Sequence, residues 1–204
     1  MRELENIGDL GAFSLFLRMC AARSGQLLNL SSLASDCGIA QPTAKRWLSL
    51  LQASFVATTL RPHFRNFNKR LVKTPKLYFL DTGLLCYLLR IRTAEDLMVH
   101  PFRGAVFESF VVSEMVKNFV HRGLEPDVYF WRNNTGHEID VLLEFGSNLV
   151  PLEAKSGVSL PADFGKGLDY WLHLAGQTGP AAVVYGGDES FLRKNLTCLS
   201  WRVL

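Results

Sequence analysis

Apolar residues recur at intervals of three and four along several stretches of the chain, and this spacing predicts amphipathic helices. One such stretch covers residues 9–24 and ends at Gly25, a residue that commonly follows a helix. Further helices are predicted in a short segment from Ser32, in a segment entered through Gln41-Pro42, and over residues 84–90, 104–121 and 163–174.

Runs rich in β-branched and aromatic residues lie between these helices and predict strands. They cover residues 55–60, 76–80, 128–132, 138–144, 149–155, 181–185 and 196–203. Residues 91–101 carry no such pattern and are predicted to be a linker or loop. The mixture of helices and strands indicates an α+β or α/β fold, with a central mixed sheet flanked by helices.

The second and third predicted helices have the outline of a helix-turn-helix. Gly38 permits the positive φ of the turn, and small Ala34 and Ala44 allow close contact between the helices. With the two following strands as a hairpin, residues 9–80 predict a winged helix-turn-helix. A winged helix that binds only protein is the alternative, since a fold does not fix a function. The candidate DNA-reading residues of its second helix are Gln41, Thr43, Lys45 and Arg46.

The 204-residue chain has a formal net charge of +3, and that charge is unevenly distributed. Residues 1–75 carry 10 Lys and Arg against 4 Asp and Glu, whereas residues 76–204 carry 12 against 15. Basic side chains interleaved with aromatic ones are typical of a surface that meets phosphates, although an ordinary solvated face is the alternative. The candidates in the basic stretch after the helix-turn-helix are Arg65, Lys69, Arg70 and Lys73.

The amino-acid composition limits the classes of protein to which the chain can belong. Hydrophobic residues make up 48% and charged residues 20% of the chain, which is typical of a globular domain and excludes a disordered tail. The four cysteines form no C-x-x-C pair, so neither a zinc site nor a disulfide framework is predicted. The first residues of the sequence do not resemble a signal peptide, and no apolar stretch is long enough to span a bilayer. We therefore expect a cytoplasmic protein without a membrane partner.

The strands at 138–144 and 149–155 predict a hairpin whose register brings acidic residues together. With residues 146–147 as a two-residue loop, Asp140 lies opposite Glu153, and Glu138 lies opposite Lys155. All four side chains then share one face of the sheet. Like charges at facing positions are destabilising unless a cation binds between them.

A divalent metal ion is the cation that this arrangement favours. Carboxylate oxygens suit Mg²⁺ or Mn²⁺ better than Zn²⁺. Lys155 would hold an attacking hydroxide or the charge that builds on a phosphate. Glu108, which falls within the apolar stripe of the helix over 104–121, would complete the site.

Each of these residues also has a simpler interpretation. Glu138 would pair with Lys155 across the hairpin, Asp140 would be exposed on a polar sheet face, and Glu108 would be a peripheral helix acid. Packing is likewise the favoured role of Tyr170, Trp171 and His173.

In their order along the chain, these residues resemble the PD-(D/E)xK nuclease superfamily. The resemblance rests on a helical acid in residues 104–108, then on Gly136-His137-Glu138-Ile139-Asp140, and then on Glu153-Ala154-Lys155 of the following strand. It implies that Asp140, Glu153 and the Ala154 carbonyl hold the metal, with Glu108 assisting directly or through water. It also implies that Lys155 orients the nucleophile for phosphodiester hydrolysis and that His137 and Arg132 contact phosphate.

The whole chain is also similar to the C-terminal portion of a prokaryotic family of AAA-type ATPases, in which an ATPase module precedes a winged helix and a nuclease-like domain. Residues 38–47, residues 75–83 and Phe130-Trp131-Arg132 before His137 carry this resemblance. The chain departs from the family in lacking the phosphate loop GxxxxGK followed by Ser or Thr. We therefore expect a fragment or truncated member that does not hydrolyse ATP and whose partner is an ATPase module.

Together these features predict a winged helix-turn-helix domain over residues 1–75 and a restriction-endonuclease-like domain over residues 76–204. The leading functional hypothesis is a DNA-binding module with a metal-dependent phosphodiesterase site. A non-catalytic DNA- or protein-binding regulatory region of an ATPase is the main alternative, and an interaction platform that assembles the ATPase is a third.

Overall fold

The structure, a computed structural model, describes residues 9–64 and 71–204, and seven α-helices and eight strands lie in these ranges. The helices are α1 (Leu10–Ala21), α2 (Leu30–Asp36), α3 (Gln41–Ala53), α4 (Thr82–Leu88), α5 (Ala94–Val99), α6 (Arg103–Val120) and α7 (Lys166–Ala175). The strands are β1 (Ala57–Pro62), β2 (Lys76–Phe79), β3 (Val128–Arg132), β4 (Glu138–Phe145), β5 (Asn148–Lys155), β6 (Ala182–Tyr185), β7 (Phe191–Arg193) and β8 (Leu196–Ser200).

The predicted α+β class with a mixed sheet is confirmed. The strand order is β2-β1-β3-β4-β5-β6-β8-β7. Strands β3, β4 and β5 are antiparallel neighbours, whereas β5, β6 and β8 run parallel. The parallel pairings bury β6 completely, so its side chains are apolar or aromatic throughout.

The prediction of a linker or loop over residues 91–101 is wrong, because α5 lies within this range. Thr93 Oγ1 accepts a hydrogen bond from the Asp96 N–H at 3.1 Å, and the Asp96 carboxylate accepts one from the Thr93 N–H at 3.2 Å. This reciprocal capping box stabilises a helix too short to show a clear apolar period. Strand β7, which has only three residues, was also missed.

By its internal contacts the chain divides into two units. The first comprises residues up to 59 together with 75–109. Its core contains Phe16, Trp47, Leu77 and Phe79, and the Trp47 ring meets the edge of the Phe16 ring at 5.5 Å between centroids. Helices α2 and α3 are joined by a turn in which Gly38 has the expected positive φ of 64°.

The second unit comprises residues 60–74 and 110–204. Its core forms between one face of the sheet and α7, and Trp131, Ile139, Leu168 and Trp171 are fully buried there. Within the described parts of the chain, no helix has both the length and the apolar character needed to cross a bilayer.

Candidate functional site

The acidic residues of the second unit lie where β4 and β5 stop pairing. The predicted register is confirmed over five pairs, which run from Val141↔Leu152 to Phe145↔Asn148. Beyond them, the Ala154 N–H donates to the Asp140 carboxylate at 3.0 Å. A continued antiparallel ladder would use that N–H for a backbone carbonyl. The two pairs predicted across the hairpin, Asp140 with Glu153 and Glu138 with Lys155, therefore lie beyond the end of the ladder. Asp140 is instead held to the neighbouring strand by its side chain.

Glu153 is the buried acid of this group, with 7% of its surface exposed. Burial raises the pKa of its carboxyl, and the negative charge of Asp140 adds to the effect. The Lys155 ammonium forms an ion pair with Glu153 and opposes that rise. The ion pair with Lys155 therefore only partly offsets the effect of burial on the Glu153 carboxyl.

Gly167 is a site residue that the sequence analysis missed. A Cβ atom at this position would lie 2.1 Å from Glu153 Oε1, so any side chain here forces the buried carboxylate to move. Helix α7 approaches Glu153 this closely only because the residue is glycine. The available signal was glycine at 165 and 167 at the start of a predicted helix, where glycine is unfavourable.

The remaining acid, Glu138, forms an ion pair with Arg132 of the adjacent strand at 3.1 Å. A carboxylate oxygen of Glu138 also lies within 4.8 Å of one of Asp140. Three carboxylates and two cationic side chains thus meet at this end of the sheet.

A buried asparagine organises the loop that leads into β4. Asn133 is 2% exposed, and its Oδ1 accepts hydrogen bonds from the backbone N–H groups of Thr135 and His137, both at 3.0 Å. The His137 ring stacks on Tyr170, with ring centroids 3.9 Å apart. The loop therefore fixes His137 next to the acidic strand, and Asn133 is a further residue that the motif alone did not reveal.

Glu108 lies in the first unit and is not the peripheral acid of the simpler interpretation. Its Oε1 accepts hydrogen bonds from the Lys76 ammonium at 2.9 Å and from the Tyr78 hydroxyl at 2.5 Å. Lys76 is 3% exposed and Tyr78 is fully buried. Buried charges persist in proteins when they are paired in this way.

The predicted DNA-reading residues occupy the outer side of α3. Gln41, Lys45 and Arg46 are exposed and Thr43 is half-buried, while Trp47 and its neighbours on the opposite side enter the core. Of the basic stretch, Lys73 is exposed in the second unit. The other three candidates, Arg65, Lys69 and Arg70, lie outside the described residues.

Residues 103–204, half of the chain, match the family model described as "Domain of unknown function (DUF4143)", and the chain belongs to this family. Residues 1–95 match a second model, described as "Domain of unknown function (DUF8612)". The chain is 33% identical over 173 residues to the uncharacterized protein Rv2008c of Mycobacterium tuberculosis and, equally, to the uncharacterized protein Mb2031c of Mycobacterium bovis. The match covers 85% of this chain but 38% of either relative.

Proposed function

We propose that the second unit is a PD-(D/E)xK nuclease-like domain that hydrolyses phosphodiester bonds with a divalent metal ion. The observation that carries this proposal is the buried Glu153 beside Asp140 and Lys155, at the point where β4 and β5 separate. Two carboxylates and a lysine on neighbouring strands can bind a metal ion and orient a nucleophile, as metal-assisted phosphate chemistry uses them.

The donor atoms fit magnesium or manganese. All the side-chain ligands available at Glu138, Asp140 and Glu153 are carboxylate oxygens, which are hard donors. Burial raises the pKa of Glu153 and the negative charge of Asp140 adds to the rise, so a cation bound beside the two carboxylates would favour their charged forms. When bound, the metal would stabilise the charge that develops on the phosphate during hydrolysis.

The residues of the site would have separate roles in this reaction. Asp140, Glu153 and the Ala154 carbonyl would hold the metal, and the Ala154 N–H already fixes the Asp140 carboxylate. The Lys155 ammonium would orient the attacking water and attract phosphate oxygens. His137 and Arg132, on the flanking loop and strand, would contact the substrate phosphate. The assisting role of Glu108 that the resemblance implies stays a prediction.

For the first unit we propose a winged helix-turn-helix that binds DNA. The exposed Lys45 and Arg46 on α3 support this function, since cations on an outward helix face bind backbone phosphates. An AAA-type ATPase module is the partner that the family resemblance implies. The 38% coverage of the mycobacterial relatives is compatible with such a module, because most of their length lies outside the match.

The activity is tested by incubating the chain with supercoiled plasmid and with single-stranded DNA in Mg²⁺, Mn²⁺ or EDTA. We expect metal-dependent cleavage that falls about 100-fold or more in Asp140→Asn and Lys155→Ala, the size of effect that loss of an electrostatic stabiliser produces. Glu114→Gln is the matched control, because Glu114 pairs with Lys117 on α6 at 2.8 Å and belongs to no acidic group of the site. Cleavage that survives Asp140→Asn would refute the assignment.

A non-catalytic DNA-binding region is the second candidate. It is favoured by the partner that each acid already has, namely Arg132 for Glu138, the Ala154 N–H for Asp140 and Lys155 for Glu153. This function predicts intact DNA under every metal condition, together with salt-dependent binding. The double variant Lys45→Ala, Arg46→Ala should then lower the slope of log affinity against log salt by about 1.8 on duplex DNA.

A further inference from the structure

Helix α4 ends with an arginine in a backbone conformation that favours glycine. The Arg90 N–H donates to the Tyr87 carbonyl at 3.1 Å, and the Ile91 N–H donates to the Cys86 carbonyl at 2.9 Å. This pair of bonds is the Schellman motif, and Arg90 occupies its left-handed position with φ of 62°. The left-handed conformation is unfavourable for residues with a Cβ atom. At the equivalent position α3 carries Phe55, and α2, α6 and α7 carry Gly38, Gly123 and Gly176.

The Arg90 side chain lines a cleft of about 570 Å³ in the first unit. Arg18 from α1 and Arg92 before α5 line the same cleft, so three arginines border it. No carboxylate lines it, and none of the three guanidiniums forms an ion pair with any acid of residues 9–64 and 71–204. The carboxylate of Asp96 accepts instead from the backbone N–H groups of Arg92 and Thr93.

The walls between the arginines are apolar and aromatic. Leu88 and Ile91 line the cleft, and Tyr87 also lines it with 78% of its surface exposed. A volume near 570 Å³ lies in the range of pockets that enclose small organic ligands. Guanidinium groups match phosphate oxygens with paired hydrogen bonds, and an exposed aromatic ring offers a stacking surface to a base.

We propose that this cleft binds a nucleotide, with Arg18, Arg90 and Arg92 on its phosphate and the Tyr87 ring against its base. The chain keeps a guanidinium at this helix end, where glycine would suit the left-handed backbone better. The site is formed by α1 and α4 and does not depend on the metal site or on α3. The nucleotide is either free or part of a nucleic-acid strand.

The proposal is tested by titrating the full chain with ATP, with a fluorescent single-stranded oligonucleotide and with inorganic phosphate. Arg90→Gly is the decisive variant, since it removes the guanidinium while giving the helix end its preferred residue. We expect its thermal stability to equal or exceed that of the wild type and its nucleotide affinity to fall at least tenfold. Nucleotide affinity that is unchanged in Arg90→Gly, or no binding of any probe, would overturn the proposal.

Two further variants separate the contributions of charge, geometry and stacking. Arg90→Lys keeps a cation at the helix C-terminus but loses the planar donor fork, so we expect unchanged stability with weaker binding. Tyr87→Ala should weaken ATP and oligonucleotide binding while leaving inorganic phosphate binding unchanged. If the protein binds ATP but not the oligonucleotide, the ligand of the cleft is a free nucleotide. If Arg90→Gly loses oligonucleotide binding while the double variant Lys45→Ala, Arg46→Ala keeps it, the ligand is a nucleic-acid strand.

Discussion

Each unit of this protein pairs a glutamate with a lysine, and the two pairs differ in which partner is buried. In the first unit Glu108 accepts from Lys76, which is 3% exposed, and from the buried Tyr78 hydroxyl. In the second unit Glu153 is 7% exposed, while the side chain of its partner Lys155 is 38% exposed. Burial raises the pKa of the Glu153 carboxyl, and the negative charges of Asp140 and Glu138 add to the rise.

The difference lies in how the charge of each glutamate is stabilised by the chain itself. Glu108 has an ammonium and a hydroxyl held in the protein interior, so its charge is stabilised in the absence of any ligand. Glu153 is buried beside Asp140, and its ion-pair partner Lys155 is 38% exposed, so its charged form is less favoured than that of a carboxyl in water. Under the proposed function, the charged form of Glu153 would gain from an added cation.

Removal of Lys76 should produce the largest effect. Lys76→Met leaves the Glu108 carboxylate without its buried counter-charge, and we expect the free energy of unfolding to fall by about 3–5 kcal/mol. Urea denaturation followed by tryptophan fluorescence measures this change. The double variant Lys76→Met, Glu108→Gln should regain much of the loss, because it removes the uncompensated charge. A single variant that loses less than about 1 kcal/mol would contradict the view that Lys76 balances the charge of Glu108.

Metal binding should give the next largest effect. Mn²⁺ at 100 times its dissociation constant is expected to stabilise the wild type by about 2.7 kcal/mol, since it binds the folded state only. Asp140→Asn should abolish this stabilisation, whereas Glu114→Gln should retain it. Thermal denaturation with and without Mn²⁺ provides the measurement. Equal stabilisation of the wild type and Asp140→Asn would place the metal elsewhere.

The Asp140 site also shows what local sequence can and cannot predict. The hairpin register followed from a two-residue loop and strict alternation, both of which are local, and all five pairs agree. The point at which β4 and β5 stop pairing could not be predicted in this way. It depends on the hydrogen bond from the Ala154 N–H to the Asp140 carboxylate, which takes the place of a hydrogen bond between the two backbones. The partner of Glu108 was also missed, since Lys76 is 32 residues away in the chain and only the tertiary fold brings the two together.

The close approach of α7 to Glu153 provides a third test. Gly167→Ala would place a methyl group 2.1 Å from the Glu153 Oε1 position, and we expect a loss of about 2 kcal/mol in stability with weaker Mn²⁺ binding. Gly179→Ala is the control, because a Cβ atom there meets nothing within 4 Å. If both variants retain wild-type stability and metal affinity, the carboxylate of Glu153 is free to move and its burial does not define the site.

The smallest effect concerns pH. The raised pKa of Glu153 means that the folded state holds the proton more tightly than the unfolded chain does. The stabilising contribution of Glu153 is therefore complete below its unfolded pKa and is lost as the pH rises through its higher folded pKa. In EDTA, the stability of the wild type relative to Glu153→Gln should fall as the pH increases through this interval, as urea midpoints at several pH values will show.

Saturating Mn²⁺ should weaken or reverse that trend, because metal ligation favours the charged carboxylate. Parallel pH curves for the two proteins in EDTA would show that Lys155 alone neutralises Glu153, which would remove the contrast with Glu108.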